Sequence, residues 1–358
     1  MLQLDCQAPL PQLVCQVPSL QPVTGSTDDE DCNKEPADTG AVHEGGGVPS
    51  EPHQATAHMD QQAEDLALPQ LHKVTVYTEL HQVFQQAHFI ILLDDSWPED
   101  REGGGVDEEE GKVRKVSDRY QQYGRLINER VHMNVAVIVA GDSLVNLKCS
   151  LLLENAPSVD SGRFVGMATQ LEYEAKAHIA QKLSVKTADV TEVIVWGNIS
   201  GSSHVDLQSA TVFQYEGAIW GPSDFSQPVL EIIYDRKWLQ SDFLNLVSSQ
   251  CATVASKSQR ATAISATNGI IAVLKAWNCH SSAKEVLSFC ILSTGQYNLP
   301  AGVVFSMPVS FQDGRWSMLS DVIGDKKRAK LQIAADQLRE EKDCMNLHYF
   351  LKRFLSEL

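Results

Sequence analysis

The sequence predicts an α/β protein with two ordered halves. In the first, strands alternate with helices, as in a parallel doubly wound sheet; the second mixes helices with antiparallel strands in the α+β manner. Three observations carry this reading. "FIILL" (89–93), "NVAVIVAG" (134–141) and "VIVW" (193–196) are short unbroken apolar runs, the pattern of strands buried on both faces. Stretches with helical apolar spacing separate them. After residue 285 the pattern becomes "EVLSFCILSTG" and "GVVFSMPVSFQDGRWSML", strand runs divided by glycine and proline, which read as an antiparallel set.

Taken in order, residues 1–70 form a tail rich in Pro, Gly, Ser and acids. Such a composition buries too little apolar area to offset chain entropy, so a disordered acidic tail is expected. Order begins near His72. "VTVYT" (74–78) reads as a strand, "ELHQVFQQ" (79–86) as a short helix and "HFIILLDD" (88–95) as a buried strand. An acidic, glycine-rich loop follows over 98–113. Helices are expected over 116–131, 143–157 and 171–183, with strands at 134–141, 164–167 and 193–196. Residues 210–216 suggest another strand. Helices are expected within 236–278, with Trp238, Phe243 and Leu246 on one face. The C-terminal "DKKRAKLQIAADQLREEKD…" is a long amphipathic helix. The domains are therefore 1–70 (tail), 71–168 (nucleotide-binding-like alternating half) and 169–358 (α+β half).

Charge and cysteine usage exclude several function classes. The net charge of −17 is local: residues 1–70 carry −11 and residues 98–113 carry −5, leaving the folded part near neutral. No basic surface for nucleic acid or membrane is expected. No apolar run reaches membrane-spanning length, and the start lacks a secretory signal pattern. The eight cysteines are scattered without a CxxC pair, which fits reduced thiols in a cytoplasmic protein and predicts no metal site.

"NVAVIVAG…NLKC…ENAPS", "EAKAHIAQKL…VTEVIVWGN" and "VVFSMPV…GRW" resemble the lactate/malate dehydrogenase superfamily, in its cytosolic malate dehydrogenase branch. The likeness spans residues 74 to about 345. It implies a Rossmann-like half, hydride transfer between NAD and a 2-hydroxy acid, and a homodimer built through helices. Such chemistry needs a glycine-rich turn for the pyrophosphate, a histidine to carry the hydroxyl proton, an aspartate to orient it, and arginines to fork onto the carboxylate.

Carried across the motif, these positions are changed. The family's Trp-Gly-Asn-His is here Trp196-Gly197-Asn198-Ile199, its aspartate is Leu171, and its carboxylate-binding arginine is Glu174. The Asn-Pro-Ala-Asn turn corresponds to Ser143-Leu144-Val145-Asn146; with Gly141, Ser143 and Asn146 are what remains of a cofactor-binding set. The mobile loop keeps Arg101 alone among acids. No strand before Val74 leads into a glycine-rich turn, and "EGGGVP" (44–49) and "EGGGV" (102–106) lie among acids that repel phosphate. The doubly wound half therefore lacks its first strands, which leaves "FIILL" with an open edge that "VTVYT" is expected to cover. His178 and His204 read as a helix-flank and a loop histidine. The expected function is that of a catalytically inactive relative acting as a binding or assembly module for an unknown protein partner. The rival expectation is an NAD-dependent oxidoreductase acting on malate, oxaloacetate or a related acid.

Overall fold

Apolar runs set the centre of the molecule. The computed structural model describes residues 2–6, 13–15, 71–77, 79–93, 106–141, 143–215, 225–247, 263–278, 285–312, 315–319 and 325–356. The runs "FIIL", "AVIV" and "FVGM" form β4 (Phe89–Leu92), β5 (Ala136–Val139) and β6 (Phe164–Met167). They pair in parallel, Ile90 beside Val137 and Ile138 beside Val165. Alternation sends Ile90, Leu92, Val137 and Val139 into one core, and Ile91 and Ile138 into another. The first core is closed by helices α1 (Val106–Arg130) and α2 (Val145–Asn155). Gly124 lets these helices approach: a Cβ there would sit 2.6 Å from that of Asn155. The second core is closed by α4 (Ala263–Trp277) and α5 (Asp325–Ser356). α3 (Thr169–Leu183) lies in sequence between α2 and α4. No described helix is long and apolar enough to cross a membrane.

Strands from both halves join one sheet. β12 (Val286–Leu292) pairs antiparallel with β6 on one side and with β13 (Val304–Gln312) on the other. Beyond β13 lie β8 (Ile194–Gly197) and the edge strand β9 (Ser203–Asp206); β14 (Arg315–Met318) also pairs with β13. A small second sheet consists of β7 (Val190–Thr191), β10 (Thr211–Phe213) and β11 (Ser226–Pro228). The α+β half is thus an antiparallel continuation of the parallel one.

Three expectations are corrected. First, the tail expected to lack structure supplies two strands, β1 (Leu2–Cys6) and β2 (Leu13–Cys15); residues 7–12 and 16–70 lie outside the described residues. "LQLDC" alternates apolar and polar residues as a half-buried strand does, but it and the three-residue "LVC" are too short to stand out within a polar tail. β2 runs parallel to β4, with Val14 opposite Ile90, so it covers the edge assigned to "VTVYT". That segment belongs to β3 (Leu71–Val76), which pairs antiparallel with β1. Five residue pairs join β1 to β3, against three joining β2 to β4. A longer antiparallel ladder is the better use of β3. Second, the acidic loop is shorter than 98–113, because α1 begins at Val106; residues 94–105 lie outside the described residues. Asp107–Glu110 fall in its first turns, where negative charge favours a helix. Third, a π turn over Trp238–Asp242 shifts the helical register. Phe243 and Val247 are buried, while Leu246 faces outward.

Val14 is paired on both sides, so Val14→Pro removes a ladder N–H from the cover of β4. We expect a loss of roughly 2–3 kcal/mol. Amide exchange at Ile90 and Ile91 should accelerate. Unchanged protection there would mean that β2 does not hold this edge.

Candidate functional site

β8 leads into the Trp-Gly-Asn turn, and side chains rather than ladder bonds hold its inner edge. β13 meets it in register only at Ser306 and Gly197. The Val195 N–H donates to Ser288 Oγ (2.9 Å), and Ser306 Oγ donates to the Val195 carbonyl (2.6 Å). Both serines are fully buried. Past the strand, Asn146 Nδ2 donates to the carbonyls of Gly197 (3.2 Å) and Val304 (3.0 Å), and its Oδ1 accepts from the Ile199 N–H (2.9 Å). Gly197 has φ +103°, and a Cβ there would collide with the Ser202 carbonyl oxygen, so the turn requires glycine. Asn198 Nδ2 donates to Glu341 Oε1 on α5 (2.8 Å). Burial pushes the Glu341 carboxyl up, and this bond partly offsets the effect.

Of the residues expected at the site, Leu171 and Ile199 pack on one apolar cluster, and Asn146 engages the Ile199 N–H. Ile199 is half-buried and packs against the cores on both sides of it. Leu171, on the first turn of α3, packs against the same cluster around Ala175, Val193 and Val195. Glu174, one turn on, is buried and accepts from Gln170 Nε2 (3.4 Å). Gly141 has φ +144° in the turn before α2, and Ser143 Oγ accepts from Lys148 Nζ (3.1 Å). The Lys148 ammonium is buried over the Tyr120 ring, 5.5 Å from its centroid. His178 lies half-buried on α3, where burial lowers its basicity. His204 lies on β9 and lines a cleft of about 880 Å³ with Tyr234, Arg236 and Lys330; Ile199, Leu171 and Glu174 do not line it. Cys149 and Cys290 are buried free thiols, and burial raises Cys149 to about 12.

These residues do not fit a dinucleotide. Both polar ends of the Asn146 side chain are spent on protein backbone. The first two strands are antiparallel neighbours rather than a strand leading into a crossover helix. At the start of α3, Thr169 Oγ1, buried without a hydrogen-bond partner, is covered by Gly269, where a Cβ would collide with it and with Met167. Among the described residues, no group of three or more His, Cys, Asp or Glu could hold a metal ion.

Sequence reasoning missed a buried ion pair beside this turn. Glu172 is fully buried; its Oε1 lies 2.6 Å from Lys176 Nζ, and its Oε2 accepts from the Ser288 N–H (2.9 Å). Burial pushes the Glu172 carboxyl up, while Lys176 and then Ser288 pull it down. The available signal was a serine inside each of the apolar runs "VLSFCIL" and "VFSMPV", together with a Glu–Lys pair four residues apart.

Two stability outcomes follow from this geometry. Asn146→Ala strands three buried backbone groups and should cost about 2–4 kcal/mol in urea unfolding. Lys176→Met leaves the Glu172 carboxylate without its cation and should cost about 3 kcal/mol at neutral pH. The folded-state pKa of Glu172 then lies further above its unfolded value, so protonation favours the fold. The variant should therefore regain stability as pH falls towards 5. A deficit that stays constant with pH would contradict this account of the pair.

Known proteins share both the fold and the sequence pattern. The family model for the lactate/malate dehydrogenase alpha/beta C-terminal domain matches residues 169–347. The protein named "Putative malate dehydrogenase 1B" from Bos taurus is 38% identical over 284 residues, covering 78% of this chain and 58% of that protein. "Malate dehydrogenase 1, cytoplasmic" of Arabidopsis thaliana is 29% identical over 247 residues, covering 67% of this chain and 71% of that protein. The solved lactate dehydrogenase of Trichomonas vaginalis in complex with NADH and oxamate superposes with a TM-score of 0.72. It is 23% identical and covers 86% of this chain and 88% of that one, a likeness of fold. The chain spans somewhat over half the length of the malate dehydrogenase 1B relatives. On the family model and the 38% identity, this chain belongs to the lactate/malate dehydrogenase family.

Proposed function

We propose that the chain is a catalytically silent member of this family, serving as a binding or assembly module. The observation that carries this reading is position 199. Where the resemblance implies a proton-carrying histidine, Ile199 offers an apolar side chain packed on the core, and its N–H is engaged by Asn146. A group that cannot titrate cannot carry the hydroxyl proton. Glu174, where an arginine is implied, repels a carboxylate substrate. NAD enters through family membership alone. A cytoplasmic setting is supported by the scattered cysteines and by the cytoplasmic relative. Its partners, on this reading, are a second copy meeting it through helices and a further protein not identifiable from the site.

One observation favours a second reading, an NAD-dependent oxidoreductase interconverting malate and oxaloacetate or a related 2-hydroxy acid. The Trichomonas vaginalis enzyme of the same fold holds NADH and oxamate. An NADH fluorescence titration of the full chain, with size followed by light scattering, separates the two. We expect no saturable binding on a folded, monodisperse sample, and no oxaloacetate-dependent NADH oxidation by Ile199→His combined with Leu171→Asp. Saturable micromolar binding by the unmodified chain would overturn the silent reading in favour of the second.

A further inference from the structure

Two histidines close the corner where α1 ends and β4 and β5 begin. His88 immediately precedes β4, and His132 follows the last residue of α1 by two positions. Their rings stack, with centroids 4.1 Å apart and planes 20° from parallel. The backbone around them is cross-tied. The Gln86 N–H donates to the Arg130 carbonyl (2.9 Å), the His132 N–H to Ala87 (3.1 Å) and the Ala136 N–H to His88 (2.8 Å). The Asn134 N–H donates to His132 Nδ1 (3.2 Å), so this bond needs that nitrogen free of a proton. His88 Nδ1 and Arg130 Nε are both buried without a hydrogen-bond partner.

We propose that this pair is an acid-sensitive latch. Stacked and neutral, the rings hold the entries of β4 and β5 against the end of α1, and protonation of either ring opens the corner.

Both protonation events act in the same direction. A proton on His132 Nδ1 removes the acceptor used by Asn134. A proton on His88 places a cation against the His132 ring, with the Arg130 side chain ending the neighbouring helix. α1 contributes Arg130. Glu79 and His81, at the start of the short helix Leu80–Val83, face each other at 3.8 Å near the surface. The entry to β5 contributes His132 itself. Burial and, after it, the neighbouring His132 ring lower the basicity of His88, while the Gln86 backbone raises it. No described carboxylate offsets the charge. The unfolded chain therefore takes up this proton more readily than the fold does. Stability is complete above the ordinary value of 6.5 and is lost as pH falls below it.

Hydrogen exchange on the full chain tests this at pH 7.5 and 5.5, with rates corrected for intrinsic chemistry. The amides of His132, Val135 and Ala136 should lose roughly threefold or more of their protection at the lower pH, while those in the middle of α3 keep theirs. His88→Phe keeps an aromatic ring on His132 and should weaken this response. His88→Phe with His132→Phe should abolish it. Equal corrected protection at both pH values in the unmodified chain would overturn the proposal, as would a response that survives the double substitution. If the double variant does not fold, the ring signals of the unmodified chain decide by NMR titration. A His88 midpoint at or above the ordinary value sinks the latch; a depressed one supports it.

Discussion

The backbone of β8 must find hydrogen-bond partners in a place where water cannot reach, and much of the structure is arranged around that need. β8 lies between β9 and β13, yet β13 matches it at a single residue pair. A buried N–H or carbonyl left unpaired costs as much as a lost hydrogen bond. Ser288 from β12, Ser306 from β13 and Asn146 from α2 satisfy these groups. Three elements distant in sequence are thereby fastened to one turn, and α5 is fastened to it through Glu341. The same fastening would position a reactive side chain at residue 199 with little freedom. In this chain it positions an isoleucine.

Two positions where the family resemblance implies polar chemistry, 171 and 199, hold apolar side chains packed on one cluster. Leu171 joins the apolar cluster that Ile199 also touches, while Glu172 beside it is buried against Lys176 and Ser288. A buried ion pair gains little stability over apolar packing of equal volume, but losing one partner is expensive. Lys176 and Glu172 are thus tied to each other by the cost of separating them. The arrangement also explains why Glu174 can sit beside an acid on the same helix: the charge of Glu172 is neutralised within one turn.

Strands with a continuous apolar pattern were legible in the sequence, because burial on both faces leaves no polar alternation: β4, β5, β6 and β8 fall where "FIILL", "NVAVIVAG", "FVGM" and "VIVW" place them. The position of Ile199 was legible because the Trp-Gly-Asn motif fixes its place. What Asn146 does was not. Its partners lie 51 and 158 residues away, and no local pattern reports them. β1 and β2 were hidden for a related reason. The alternation of "LQLDC" covers only five residues and "LVC" only three, too short to outweigh the composition of the tail, and the edge they meet is what marks them. The π turn at Trp238 inserts a residue into a helical count, so it defeated the face assignment of Leu246.

The cover on β4 is set by the topology of the first strands. A pyrophosphate cradle requires a strand that runs straight into a glycine turn and then a helix, whose N-terminal N–H groups face the ligand. Such a helix returns the chain to a parallel neighbour. β1 and β2 are instead antiparallel, separated by the six residues 7–12, too short a link for a helical crossover. The open edge of β4 is thus filled by a strand that protects the apolar sheet and leaves no room for a crossover helix between the first two strands. The edge that aggregates when bare is thereby paired within the chain.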